Sequence, residues 1–164
     1  MRRRRYVKAV GTGIATLGLS STASARGEGE LPNGRVRETR VNPFPSKEDA
    51  AEVPAGNWVT HYVGWVDVNG ESRRTDIERW LDAVEFSASI DGEPIEDPDR
   101  FWNDPEINDD GNWIVWWEYS TPPKSEGVHT FTTKFEYPDG FEDAGKTIRD
   151  PGRTDELTGY YEVV

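Results

Sequence analysis

The sequence predicts an all-β fold, a two-layer antiparallel sandwich with one short helical insertion. Three observations carry that expectation. Apolar residues alternate along Val84, Phe86, Ala88 and Ile90, and again along Phe131, Phe135 and Tyr137, which is the period of a strand with one buried face. Turn chemistry separates the apolar runs at Asn69-Gly70, Asp91-Gly92, Thr121-Pro122-Pro123 and Pro138-Asp139-Gly140. Helical spacing occurs once, and short strands between turn clusters are the pattern of a sandwich. With no cysteine, the interior must be held by packing, and seven Trp, six Tyr and six Phe supply the bulk.

The elements follow in chain order. Residues 26–56 read as a polar, mostly irregular leader, in which Arg35 to Val41 is extended enough to pair at a sheet edge and Asn42-Pro43-Phe44-Pro45-Ser46 breaks any regular element. The domain proper spans 57–164. Trp58 to Val68 is apolar on both faces, as a buried strand requires, and Gly64 marks a bulge. Thr75 and Glu78 have the spacing of a capping box, with Ile77, Trp80, Leu81 and Val84 at helical intervals behind it, so a helix is expected over 76–83. Val84 to Ile90 is a strand closed by Asp91-Gly92, a pair that tolerates positive φ. An acidic, proline-punctuated loop fills 96–111. Asn112 to Ser120 and Val128 to Tyr137 are the next strands, a Gly/Asp-rich loop runs to Thr158, and Gly159 to Val164 is the last strand.

The first 25 residues read as an export signal. Arg3-Arg4-Arg5-Tyr6-Val7-Lys8 is a charged start, Ala9 to Thr22 a weakly apolar stretch, and Ala23-Ser24-Ala25 a small-x-small cleavage site. The Arg3-Arg4 pair resembles the twin-arginine (Tat) signal, which implies passage through the Tat translocon in the folded state and a secreted, extracellular product. The apolar stretch is too short and too rich in Gly, Ser and Thr to span a bilayer, so no stable membrane anchor is expected.

Cleavage after Ala25 removes five of the 19 basic residues and none of the 31 acidic ones, leaving a formal charge of −17 with lysine only at 47, 124, 134 and 146. Such a surface repels itself unless salt screens it, over about 3 Å at 1 M. Acidity, scarce lysine and the Tat-like start together resemble secreted haloarchaeal proteins. Nucleic acid is excluded as a partner, because a phosphate backbone demands clustered cations.

Within the domain, Ser89-Ile90-Asp91-Gly92-Glu93-Pro94-Ile95 resembles a hairpin common in bacterial and archaeal immunoglobulin-like domains. Gly127-Val128-His129-Thr130-Phe131 is similar to the start of their penultimate strand. The resemblance covers roughly 57–164 and implies an immunoglobulin-like antiparallel β-sandwich; such domains serve adhesion, ligand binding or spacing, so the fold itself names no activity. The partner expected is an extracellular ligand that the sequence does not name, a polysaccharide or a surface protein. The chain departs from antibody domains in lacking paired cysteines and in carrying the 76–83 insertion.

Few constellations carry chemistry. Glu106, Asn108, Asp110 and Gly111 stand at positions 1, 3, 5 and 6 of a calcium-loop spacing, but the bidentate carboxylate of position 12 is replaced by Trp117. Ca²⁺ at Glu106, Asn108 and Asp110 is thus a weak candidate, and no other cofactor is expected. His61 and His129 share no ligand spacing and read as structural, His129 hydrogen-bonding a neighbouring turn. No nucleophile elbow, zinc-protease motif or phosphate loop is present. The sequence therefore favours a non-catalytic extracellular binding domain, with no catalytic residue named. One alternative is a carbohydrate-binding module using Trp102, Trp116 and Tyr119, whose rings could stack on sugars; Trp116 and Trp117 are adjacent and cannot both face one core. A second is a small secreted hydrolase using paired carboxylates of the 96–111 loop.

Overall fold

Alternation puts one face of each strand against a second sheet, and the computed structural model, which describes residues 29–32, 34, 36–68 and 72–164, is an all-β sandwich built on that rule. Arg3, Arg4, Ala23 and Ala25 lie outside the described residues. In chain order come β1 (Glu38–Val41), β2 (Ala51–Val53), β3 (Trp58–Val66), the helix α1 (Arg74–Ala83), β4 (Glu85–Ile90) and β5 (Glu93–Pro94). After a 3₁₀ turn at Pro98–Phe101 follow β6 (Glu106–Ile107), β7 (Trp113–Thr121), β8 (Gly127–Tyr137), β9 (Phe141–Asp143), β10 (Lys146–Arg149) and β11 (Arg153–Val163). One sheet has the order β1-β3-β7-β6 and the other β2-β11-β8-β4-β5, while β9 and β10 form a separate hairpin.

The core lies between the two large sheets. Val84, Phe86, Ala88 and Ile90 are all buried, as are Phe131, Phe135 and Tyr137. From the facing sheet Trp117 stacks on Phe131 at 5.9 Å and meets Phe86 edge-on at 5.3 Å. Each such ring removed from water contributes about 2–3 kcal/mol. Helix α1 covers one end with Ile77 and Trp80, both essentially inaccessible. A smaller cluster, Val41, Val53, Val59, Tyr161 and Val163, closes the other end.

Residues 38–53 are joined to both sheets. β1 pairs parallel with β3, from Glu38 opposite Trp58 to Val41 opposite His61. β2 pairs parallel with β11, from Ala51 opposite Tyr161 to Val53 opposite Val163. The chain between them, 42–50, is a strap that crosses from one sheet to the other. It presses on Gly159, where an added Cβ would lie 2.6 Å from the Asn42 carbonyl oxygen and 2.7 Å from Pro43 Cα. The last strand is longer than the sequence suggested, because it begins at Arg153 and pairs with β8 throughout.

Two local expectations are corrected. Gly64 is not a bulge: the β3–β7 register runs unbroken through it. It leaves room for the Trp116 ring, 2.4 Å from where a Cβ would stand. The capping box does not form either, since Arg73 is the N-cap, makes no side-chain cap bond, and leaves Thr75 inside the helix. The Asp91-Gly92 turn does form, with φ of 54° and 81°, both in the left-handed region that a two-residue hairpin turn requires.

Candidate ligand-binding cleft

The strap leaves the seam of the sandwich half closed. β1 covers the edge of β3 only as far as His61, and β2 covers the edge of β11 only from Tyr161. Between those limits Pro45 accepts one bond from the Tyr160 amide at 3.1 Å. Beyond the strap, among the described residues, Tyr62 to Val66 on one sheet and Arg153 to Thr158 on the other have no strand on their outer edges. A cleft of about 750 Å³ opens there, a size typical of ligand sites.

Its floor is aromatic. Val63 and Trp65 from β3, Trp80 from α1, and Phe135 and Tyr137 from β8 line it. Trp65 is half-buried and stacks on Trp80 with centroids 4.9 Å apart and planes 3° from parallel, so its position is held by a ring that is itself fixed in the core. Phe44 stands at the mouth, 64% exposed, between the two prolines of the strap. Leu157 and Ile148 continue the apolar lining.

The rim is polar and pre-ordered. Asp155 faces inward on β11 and accepts from Arg149 Nε at 2.5 Å and from Arg153 Nε at 2.7 Å. Burial works to raise the Asp155 carboxyl, but Arg153 and Arg149 together hold it below the usual value. Arg149 also donates to the Ile148 carbonyl at 2.8 Å and lies over the Tyr137 ring. With Asp150 and Glu156 added, the cleft is nearly balanced in charge on a strongly acidic protein.

The aromatic residues named from the sequence lie elsewhere. Tyr119 is only 7% exposed and meets Phe101 edge-on at 4.9 Å. Trp102 is half-buried against the core, edge-on to Trp80 at 5.4 Å and Phe86 at 5.1 Å, because its loop is bridged to Trp117. Trp116 lies on the opposite face of β7, against Tyr62. The three rings therefore make no common platform, since alternation separates Trp116 from Tyr119 and the bridge draws Trp102 inward. Glu106 is exposed in β6, and Asn108 Oδ1 accepts from the Asp110 and Asn112 amides at 3.1 and 2.9 Å, which is turn chemistry. Among the described residues no group of three His, Asp or Glu is placed to hold a metal ion.

Both histidines are tied into the fold. His61 is fully buried between the Tyr119 carbonyl (3.2 Å) and the Tyr161 hydroxyl (3.1 Å), and burial lowers its pKa to about 3. His129 bridges Asp91 in the hairpin turn and the Ser125 carbonyl. Asp91 also accepts from Lys124 at 2.9 Å and from the Thr130 amide at 3.0 Å. Partial burial would raise the Asp91 carboxyl, but the Thr130 amide, Lys124 and His129 outweigh it and hold it low. Among the described residues one carboxyl pair is buried, Asp67 with Asp143. Burial, then the neighbouring Asp67 and Asp76, raises Asp143, and Arg79 approaches no nearer than 3.9 Å. Neither residue lines the cleft or belongs to the 96–111 loop.

Sequence reasoning missed the cleft residues because Arg149 to Leu157 read as irregular loop and Trp65 as one more core ring. The signal available was Arg153-x-Asp155-x-Leu157, an alternation running straight into Gly159 to Val164. No helix among the described residues is long and apolar enough to cross a membrane. No protein-family model, curated protein or solved structure matches the chain.

Proposed function

We propose that this chain is an exported, salt-adapted, non-catalytic binding domain of immunoglobulin-like type that takes an extracellular ligand in the cleft between β3 and β11. The observation that carries the reading is the cleft itself: a half-open seam with a rigid Trp65–Trp80 floor, an exposed Phe44 and a fixed Arg149–Asp155–Arg153 rim. A concave cleft with an apolar, aromatic floor and a few ordered polar groups at its rim is the usual form of a ligand site.

Strand order supports the immunoglobulin-like assignment. β1-β3-β7-β6 corresponds to the A-B-E-D sheet of that fold, and β4-β8-β11 to its C-F-G sheet, with β2 and β5 added at the edges. The parallel pairing of β1 with β3 is a departure. Export rests on Arg3-Arg4 and the Ala23-Ser24-Ala25 site.

The test is a binding screen of the processed chain in molar salt against insoluble polysaccharides and a peptide library, read by tryptophan fluorescence. Phe44→Ala, at an exposed position, is expected to weaken binding about tenfold with an unchanged Tm. Binding that survives both Phe44→Ala and Trp65→Ala would move the site away from the cleft.

A further inference from the structure

We infer that the ligand of this cleft is an extended polypeptide segment, added as a strand to the open edge of β11 between Arg153 and Thr158. The inference deepens the binding reading above and rests on it.

Edge geometry argues for a peptide over a glycan. A strand edge presents outward N–H and C=O groups that recur every second residue, about 6.8 Å apart. Another strand matches that repeat by construction of its own backbone, whereas the hydroxyls of a glycan repeat at the spacing of its sugar units and not of a strand. β11 is paired on its inner side to β8 along its whole length, so Arg153 to Thr158 is a rigid template. Among the described residues no strand lies on its outer side there.

The chain already uses this same edge in this way. Three residues further along, β2 docks on β11 by parallel pairing from Ala51 to Val53, and Pro45 takes the Tyr160 amide. An added segment would continue the line of β2 past the strap. Its inward side chains would meet Leu157, Trp65 and Phe44, so alternate apolar residues are required. The inward Asp155 and its two arginines keep the edge from pairing indiscriminately, a device natural edges use against aggregation. The near balance of charge at the rim selects for a segment of low net charge.

The experiment pans a library of random nonapeptides on phage against the processed chain in molar salt. Selected peptides are synthesised with and without N-methylation at alternate residues, and backbone amide hydrogen exchange is followed. The expected result is alternating apolar peptides that slow exchange of every second amide between Arg153 and Thr158 by at least about tenfold. N-methylation on one edge should abolish that protection. Three outcomes overturn the inference: no peptide is selected, the N-methylated peptides bind equally well, or the same amides are protected without peptide in proportion to protein concentration, which makes a second copy the occupant. A parallel arm with soluble neutral oligosaccharides separates the two claims. Sugar quenching of tryptophan that Trp65→Ala removes keeps the cleft and ends the peptide; silence in both arms ends both.

Discussion

Burying a neutral imidazole makes acid a specific threat to this fold, and the size of the effect follows from the geometry. His61 is sealed between the sheets, bonded to the Tyr119 carbonyl and the Tyr161 hydroxyl, with its pKa lowered from 6.5 to about 3. The unfolded chain takes up a proton near pH 6.5 and the folded chain does not until about pH 3. In that window the unfolded state binds more protons, so stability falls as pH falls, by up to about 1.4 kcal/mol per unit. Lowering the pH from 6.5 to 4.5 should therefore cost about 2–3 kcal/mol from this residue alone. His61→Gln removes the titration while keeping a group able to reach Tyr161. Other ionisable groups contribute alike to both proteins and cancel in the difference. Urea unfolding at constant molar salt is the assay; with m of about 1–3 kcal/mol/M, the wild-type midpoint should drop about 1–2 M further than that of the variant. Parallel pH profiles for the two proteins would refute the claim that His61 is buried neutral.

Gly159→Ala places a methyl 2.6 Å from strap backbone that has no flexible end to yield, so it should destabilise by about 1–3 kcal/mol and expose 42–50 to limited proteolysis. Asp143 has a raised pKa, which favours folding below the ordinary aspartate range and opposes it as pH rises through the folded value; Asp143→Asn should raise Tm at neutral pH, and the gain should vanish in acid. A chain cut after Ala25, as proposed, carries −17 and should lose near-UV circular dichroism below about 0.1–0.5 M salt, and indifference to salt would end the proposed salt adaptation.

Much of the sandwich was legible in the sequence, because a strand with one buried face writes its own period. Val84 to Ile90 and Phe131 to Tyr137 alternate, and the structure buries the same residues. Asp91-Gly92 announced its turn, since few residue pairs accept two positive φ values in succession. His129 was also readable as a partner of that turn. The cleft was not, because it is made by absence: β1 stops at Val41, β2 starts at Ala51, and no local pattern tells how far a strand will cover its neighbour's edge.

The sequence by itself determined the layers, the turns and the aromatic interior, since those depend on residues two to four apart. Tertiary structure alone decided which rings touch and which edges stay open. Trp102 and Tyr119 went inward, Trp116 took the space left by Gly64, and Trp65 came to the floor of the seam. The physical reason is separation along the chain. Trp65, Trp80, Phe135 and Asp155 meet only after β3, α1, β8 and β11 have each chosen a sheet or a face, and that choice belongs to the packing of the whole core.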